Sequence, residues 1–524
     1  MKKQLKPLVT VMCLLGCATL PMMASAAVSN AAMQAQLNTL QQEVATLQQE
    51  LHAKPHRIAA HRVKRLHAYA AAPQSPASHA QAAATQPSSH TGDAMTSILN
   101  LNHADWPVDL DAPGESAVST GPYVGTPVQY SGFNLVVNSP SVNTDVQLLD
   151  IRKEIDAKLA ALAGGSYINP YHSHVLLSGI VEAQADYFNH SGPNNGGVPS
   201  SNIDVTNVSL DTVLLGPSQW ALAFAEFTYD NAAPTGSPYT STSNYTDINS
   251  RLYVNKAFIT VGNFTQTPFY GTVGQEYVPF GSYTTLMVST PLTESLARTK
   301  ARAIELGARG QASTAPYAAI YVFRGDAHTT AYNHINNGGV DLGYKITEGS
   351  VTADIGGGVI GNIAESVGSQ LGVGFQNNEL IAHRVPAYNA RANVGVGDDW
   401  DFIGEYVESN EFSANDVTYN GHGAQPSSFD LEAAYSIPVF GKPSSIVLGY
   451  AQSRQAMAWG IPFYRESVVL DTSLWRDTLE SLEFRHDREY AAGDTATGPI
   501  GAPVIMMQTG KYDNAITAQF DYYF

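Results

Sequence analysis

Three basic side chains, Arg298, Lys300 and Arg302, alternate along the run Leu296-Ala297-Arg298-Thr299-Lys300-Ala301-Arg302. Guanidinium and ammonium groups turned into a water-filled passage bind carboxylates through charge-assisted hydrogen bonds and decide which ions pass. They are the candidate substrate-binding residues, at a pore constriction, and Arg309 extends the group. The same residues have a plainer reading, in which they lie on a strand, face a lumen and pair with Glu294 and Glu305.

Other chemistry is thin. His172 and His174 stand two apart at the start of a strand, where a metal pair is less expected than a solvated strand end. Ser, His and Asp are present, but no nucleophile elbow or spacing singles out a triad, so no enzyme is expected. No phosphate-binding glycine loop occurs; Gly356-Gly357-Gly358 reads as close packing or a bend inside a strand. Cys13 and Cys17 both fall in the amino-terminal leader, which leaves no disulfide framework and no cysteine metal site. Neither a resident metal nor a cofactor is expected.

The elements that would position the basic group read as strands. In the last residues, Ile516, Ala518, Phe520, Tyr522 and Phe524 share one face, while Thr517, Gln519 and Asp521 share the other. A strict period of two means a strand with one apolar and one wet face. An aromatic closing strand is the habit of membrane β-barrels. Composition agrees: only 14% of the 524 residues are charged, with 44 Gly and 27 Tyr. No run of 18 apolar residues follows the leader, which excludes a helical membrane bundle. Eleven basic and eleven acidic residues precede position 170, leaving 17 basic and 35 acidic after it, so the net charge of −18 sits in the later part. That excludes nucleic acid as a partner.

Taken in order, residues 1–26 form a secretory signal, with Lys2, Lys3 and Lys6 before Leu8–Leu20 and an Ala24-Ser25-Ala26 cleavage pattern. Lipid attachment at Cys17 is the rival reading. Over residues 28–53, Met33, Leu37, Leu40, Val44, Leu47 and Leu51 mark a heptad seam, hence a helical coiled coil and self-association, with a homotrimer in view. Residues 54–92, rich in His, Lys and Arg and then in Ala, Ser, Pro and Gln, form a disordered linker. Residues 93–169 form an irregular, periplasmic segment with one helix, whose Val146, Leu148, Ile151, Ile155, Leu159 and Leu162 recur at helical spacing. That helix either plugs the periplasmic mouth in part or packs outside.

Residues 170–524 hold period two. Sixteen strands are expected, starting near His174, Ile203, Gln219, Arg251, Phe269, Ala303, Pro316, Gly339, Gly349, His383, Trp400, Pro426, Ser445, Arg465, Ser481 and Asn514. The faces of the third, from Gln219 to Tyr229, are ambiguous. Links after even strands are short and those after odd strands long and polar, as one periplasmic and one external rim require. The expected fold is all-β: a 16-stranded antiparallel transmembrane barrel of the outer membrane. Residues 281–302 occupy its third external loop, which in 16-stranded porins folds inward and narrows the pore.

Several motifs resemble the LbtU family of siderophore porins: Ser119-Thr120-Gly121-Pro122-Tyr123, Asn138-Ser139-Pro140-Ser141-Val142-Asn143, Gly274-Gln275-Glu276-Tyr277-Val278-Pro279-Phe280-Gly281, the basic run itself, Tyr419-Asn420-Gly421-His422-Gly423-Ala424 and Ser481-Leu482-Glu483-Phe484-Arg485-His486-Asp487. The resemblance spans roughly residues 97–524. It implies outer-membrane uptake of a ferric siderophore of polycarboxylate type, without a plug domain or energy coupling, and assigns no binding residue. The alternatives are a general or anion-selective diffusion porin and a surface scaffold or adhesin.

Overall fold

The computed structural model describes residues 117–119, 135–137, 143–150, 152–153, 174–190, 199–215, 218–230, 251–330, 334–377, 380–397, 399–475, 478–499, 503–504 and 509–523. The chain divides into two units, residues 1–85 and 86–524. The expected signal (1–26), coiled coil (28–53) and linker (54–92) lie outside the described residues.

In the second unit sixteen strands close into a barrel. They are β1 (His174–Phe188), β2 (Ser200–Leu215), β3 (Ala221–Asp230), β4 (Arg251–Gly262), β5 (Phe269–Tyr277), β6 (Lys300–Arg309), β7 (Ala315–Phe323) and β8 (Asn337–Glu348). The circuit continues with β9 (Val351–Ile360), β10 (Ala387–Val396), β11 (Trp400–Ser409), β12 (Ser427–Val439), β13 (Lys442–Arg454), β14 (Tyr464–Thr472), β15 (Thr478–Arg488) and β16 (Tyr512–Tyr523). All neighbours are antiparallel, and β16 returns to β1 with Ala515 opposite Phe188 and Tyr523 opposite Ile180. Closure removes both edges, so every ladder amide has a partner without water. The widest miss among expected strand starts is the tenth, placed at His383 and observed at Ala387.

The alternation read from sequence fixes inside and outside. On β16, Ile516, Phe520 and Tyr522 are exposed on the outer wall, whereas Thr517 and Asp521 are buried within. On β1, Leu177, Val181 and Tyr187 face out and Ser178 and Glu182 face in. Outer aromatics gather at the two ends of the strands. Trp220, Phe269, Trp400, Tyr435 and Trp475 lie by the short turns; Tyr187, Tyr388, Tyr406, Tyr450 and Tyr512 lie by the long links. Trp400 and Tyr435 pack at 4.6 Å between ring centroids. Leu431, Leu448, Leu482 and Ile516 fill the band between them. An apolar belt between two aromatic girdles is a lipid-facing surface, and the barrel spans a membrane.

Links after even strands are tight, as in Gly349-Ser350 between β8 and β9, and those after odd strands are long, such as 278–299 and 361–386. The expectation that the long links are simply polar needs correction. Ile363, Phe375, Phe412, Trp459 and Tyr490, one or two from each of four links, are at most 2% exposed and belong to one apolar core. Phe412 and Trp459 lie 5.6 Å apart, and the Trp459 indole N–H donates to Ser369 Oγ at 3.0 Å. Loops that pack on one another can bury their apolar side chains at the rim, away from lipid and water alike.

Inside the opposite half, residues 144–150 and 152–153 are helical. Arg152 donates to the carbonyls of Ser218 and Ala221, Lys256 to Thr144 Oγ1 and Thr272 to Asp145. The helix therefore lies in the lumen along β3, β4 and β5, not on the outside. This resolves β3: Leu222 and Phe224 face inward, Phe224 against Phe258 at 5.2 Å, because Leu148 and Leu149 of the helix bring apolar cover into the lumen. The short parallel pair Ala117–Ser119 and Leu135–Val137 precedes it.

Leu448 stands at the middle of β13 on the outer belt, 59% exposed. Leu448→Arg should cost about 2–4 kcal/mol of folding free energy in lipid vesicles. Urea titration of the vesicle-folded protein measures it, and a cost near zero would move Leu448 off the lipid face.

Candidate functional site

The link between β5 and β6, residues 278–299, leaves the wall and crosses the lumen. Its backbone is held by carboxylates on strands of the far side. Glu405 of β11 accepts the N–H groups of Ser282 and Tyr283 at 3.0 and 2.7 Å. Glu432 of β12 accepts the Thr285 hydroxyl at 2.6 Å and the Leu286 N–H at 2.7 Å. Glu483 of β15 accepts the Ser289 N–H at 2.9 Å. Asp430 of β12 takes the Leu292 and Thr293 N–H groups, at 3.0 and 2.8 Å, where helix α1 (Leu292–Ala297) begins. Each pairs an ionisable acceptor with amides that no ladder uses, and hydrogen bonds to charged groups are worth about 1.5–3 kcal/mol each. The loop also joins the rim core: Phe280, Tyr283, Leu292 and Leu296 are buried there, and Ser366 Oγ donates to the Leu296 carbonyl at 2.8 Å.

The basic residues do not converge on this passage. Arg298, the residue following α1, pairs with Glu294 one turn earlier at 2.5 Å and lies over the Tyr277 ring at 4.6 Å. Burial pushes the Glu294 carboxyl up from its ordinary range, and the Arg298 guanidinium pulls it back. Lys300 donates to Asn255 Oδ1 at 3.2 Å and sits 5.3 Å from the Tyr253 ring centroid. Asn255 is available because it is the extra residue of a bulge opposite Glu226 and Phe227, which turns both Asn255 and Lys256 inward. Arg302 is exposed in the same alternating row of β6 as Ile304 and Leu306, which is the outer wall. Arg309 is at the far end of β6 and bonds Asp150 of the lumen helix. Of the ion pairs expected from sequence, Arg298 with Glu294 forms. Glu305 is bound instead by the Tyr270 hydroxyl at 2.7 Å, whose ring lies flat over Gly307, where a Cβ would collide with it.

The inner wall is acidic. Glu182, Asp211, Asp401, Asp471 and Asp521 come from five different strands and are all buried on the lumen side. Inward bases have their charge matched: Lys256 by Glu226 at 2.8 Å, Arg391 by both oxygens of Asp341 at 2.7 Å, Arg465 by Asp487 at 2.8 Å. Arg391 reaches across Gly356, which is the close packing expected of the triple glycine. The loop clamps are invisible in sequence, because Glu405, Asp430, Glu432 and Glu483 are ordinary alternating strand acids until closure sets them opposite the loop. Their one signal is parity: each sits on the inward register of its strand.

With this geometry in hand, the relatives are informative. A UPF0422 protein of Coxiella burnetii is 35% identical over 413 residues, covering 78% of this chain and 84% of its own length. The chain belongs to the UPF0422 family. A second member, from Legionella pneumophila (strain Lens), is 31% identical over 425 residues, 78% of this chain and 76% of its own. No protein-family model matches. Among solved structures, this UPF0422 chain is similar to the outer-membrane channel DcaP of Acinetobacter baumannii, with 12% identity over 67% of this chain and 97% of that one, TM-score 0.43. It is similar at TM-score 0.44 to an anion-selective porin from Comamonas acidovorans, with 12% identity over 67% of this chain and 100% of that one. Neither likeness bears on what passes through this barrel.

Glu432→Gln should weaken two of the bonds that hold the loop. The Leu286 amide then exchanges hydrogen about tenfold faster or more, as loss of roughly 1.5 kcal/mol or more demands. Amide exchange by mass spectrometry checks it, and an unchanged rate would mean the loop is held by its apolar contacts alone.

Proposed function

We propose that this chain is an outer-membrane channel of the porin type, constricted by residues 278–299, that favours cationic or neutral solutes over anions. The observation that carries this reading is the barrel interior, where, among the described residues, buried carboxylates outnumber buried bases. Charge lining a narrow passage selects permeants by sign. The short-turn rim faces the periplasm by the general habit of such barrels. A trimer is supported by the amino-terminal heptad seam, at the level of sequence.

Passage of a ferric siderophore of polycarboxylate type is the finer reading, and it rests on the sequence resemblance. The sequence reading gives it Arg298, Lys300 and Arg302 as binding residues, and of these Arg302 stands on the outer wall. The acidic wall weighs against an anionic cargo, since bringing like charges into a low-dielectric lumen is costly. A scaffold or adhesin would conduct no ions.

Planar bilayers separate these readings. Under a KCl gradient the reversal potential should show potassium passing more readily than chloride, and preference for chloride would overturn the cation reading. Ferric-siderophore uptake in a deletion strain, with the wild-type gene and with Arg298, Lys300 and Arg302 all changed to Gln, tests the finer one. Gene-dependent uptake that the triple variant loses would establish it.

A further inference from the structure

Asp145 lies in the first turn of the lumen helix, Glu276 one residue before the end of β5 and Glu305 in the middle of β6. Their carboxylate oxygens lie within 4.8 Å of one another and all three residues are buried. Their hydrogen-bond donors are neutral. Thr272 donates its hydroxyl to Asp145 Oδ2 at 2.5 Å, Val146 its N–H to Asp145 Oδ1 at 2.8 Å, and Tyr270 its hydroxyl to Glu305 Oε1 at 2.7 Å. Glu276 Oε1 has no hydrogen-bond partner, in a residue only 4% exposed. Among the described residues no lysine or arginine bonds any of the three. Lys256, which reaches the neighbouring Thr144, spends its charge on Glu226 at 2.8 Å.

Three carboxylates crowded out of water need compensating positive charge. A helix start contributes roughly half an elementary charge, which is too little. What remains is a cation or shared protons. The donors are all oxygens, the preference of hard divalent ions and not of softer transition metals.

We propose that Asp145, Glu276 and Glu305 bind one divalent cation of the Ca2+ type, and that this ion fastens the lumen helix to β5 and β6. Glu276 Oε1 gains in the ion the partner that the protein does not supply. Asp145 is contributed by a helix that lies in the lumen and is no part of the barrel wall, so the ion joins two elements that no strand ladder connects. The proposal is separate from the transport reading: it concerns what holds the helix, not what passes it.

The test uses the full chain folded in detergent, stripped with EDTA and titrated calorimetrically with Ca2+, and in a second arm with Mg2+. One saturating ion per chain is expected, bound roughly tenfold or more weakly in Glu276→Gln and in Asp145→Asn. Heat-modified migration on gels reports barrel closure, and Asp145→Asn, which changes no strand residue, decides the matter if Glu276→Gln fails to close. Hydrogen exchange of the amides at 146–150 gives an independent reading: Ca2+ should slow it in the native chain and leave Asp145→Asn unchanged. Absence of saturable binding of either ion at millimolar concentration overturns the proposal and leaves protons as the counter-charge. Binding that neither variant weakens overturns it as well.

Discussion

Hydrocarbon offers the backbone no hydrogen bonds, and the return of β16 to β1 is how this chain meets that condition. Everything else follows from closure. Once the sheet has no edge, each strand has one face on lipid and one on the lumen, and the even strand count puts both ends of the barrel at the short-turn rim. Polar side chains are then confined to the interior. Their partners must come from the wall or from whatever enters the lumen.

Two elements enter, from opposite rims, and both meet carboxylates of the wall. The link 278–299 presents unused amides and meets Glu405, Asp430, Glu432 and Glu483. The helix at 144–150 and 152–153 meets Glu276 and Glu305 through Asp145, which is a carboxylate facing carboxylates. The first arrangement is satisfied by neutral donors on the backbone. The second lacks any base among the described residues, and that contrast is why a bound cation is inferred at one place and not the other. The same surplus of acid gives the lumen its sign.

The outer rim shows a further division of labour. Six long links share one apolar core, in which Trp459 packs on Phe412 and Leu296 brings in the constriction loop. The constriction is therefore fixed from two directions, by charge on the far wall and by packing above. Movement of the loop would have to disturb both.

Period two in residues 170–524 by itself determined the barrel, its sixteen strands, the faces of most of them and the alternation of short and long links, because lipid on one side and water on the other impose that pattern on a strand; the faces of β3 waited for the helix in the lumen. It also placed the inward loop by ordinal position. It could not tell what that loop meets. Arg298, Lys300 and Arg302 look like a cluster along the chain, yet a bulge at Asn255, the helix end at Arg298 and strand parity at Arg302 send them to three different surroundings. Asp145, Glu276 and Glu305 look unrelated along the chain and lie together in space. Only tertiary structure decided these, since closure brings together residues more than a hundred positions apart, and a local period carries no information about what stands across the lumen.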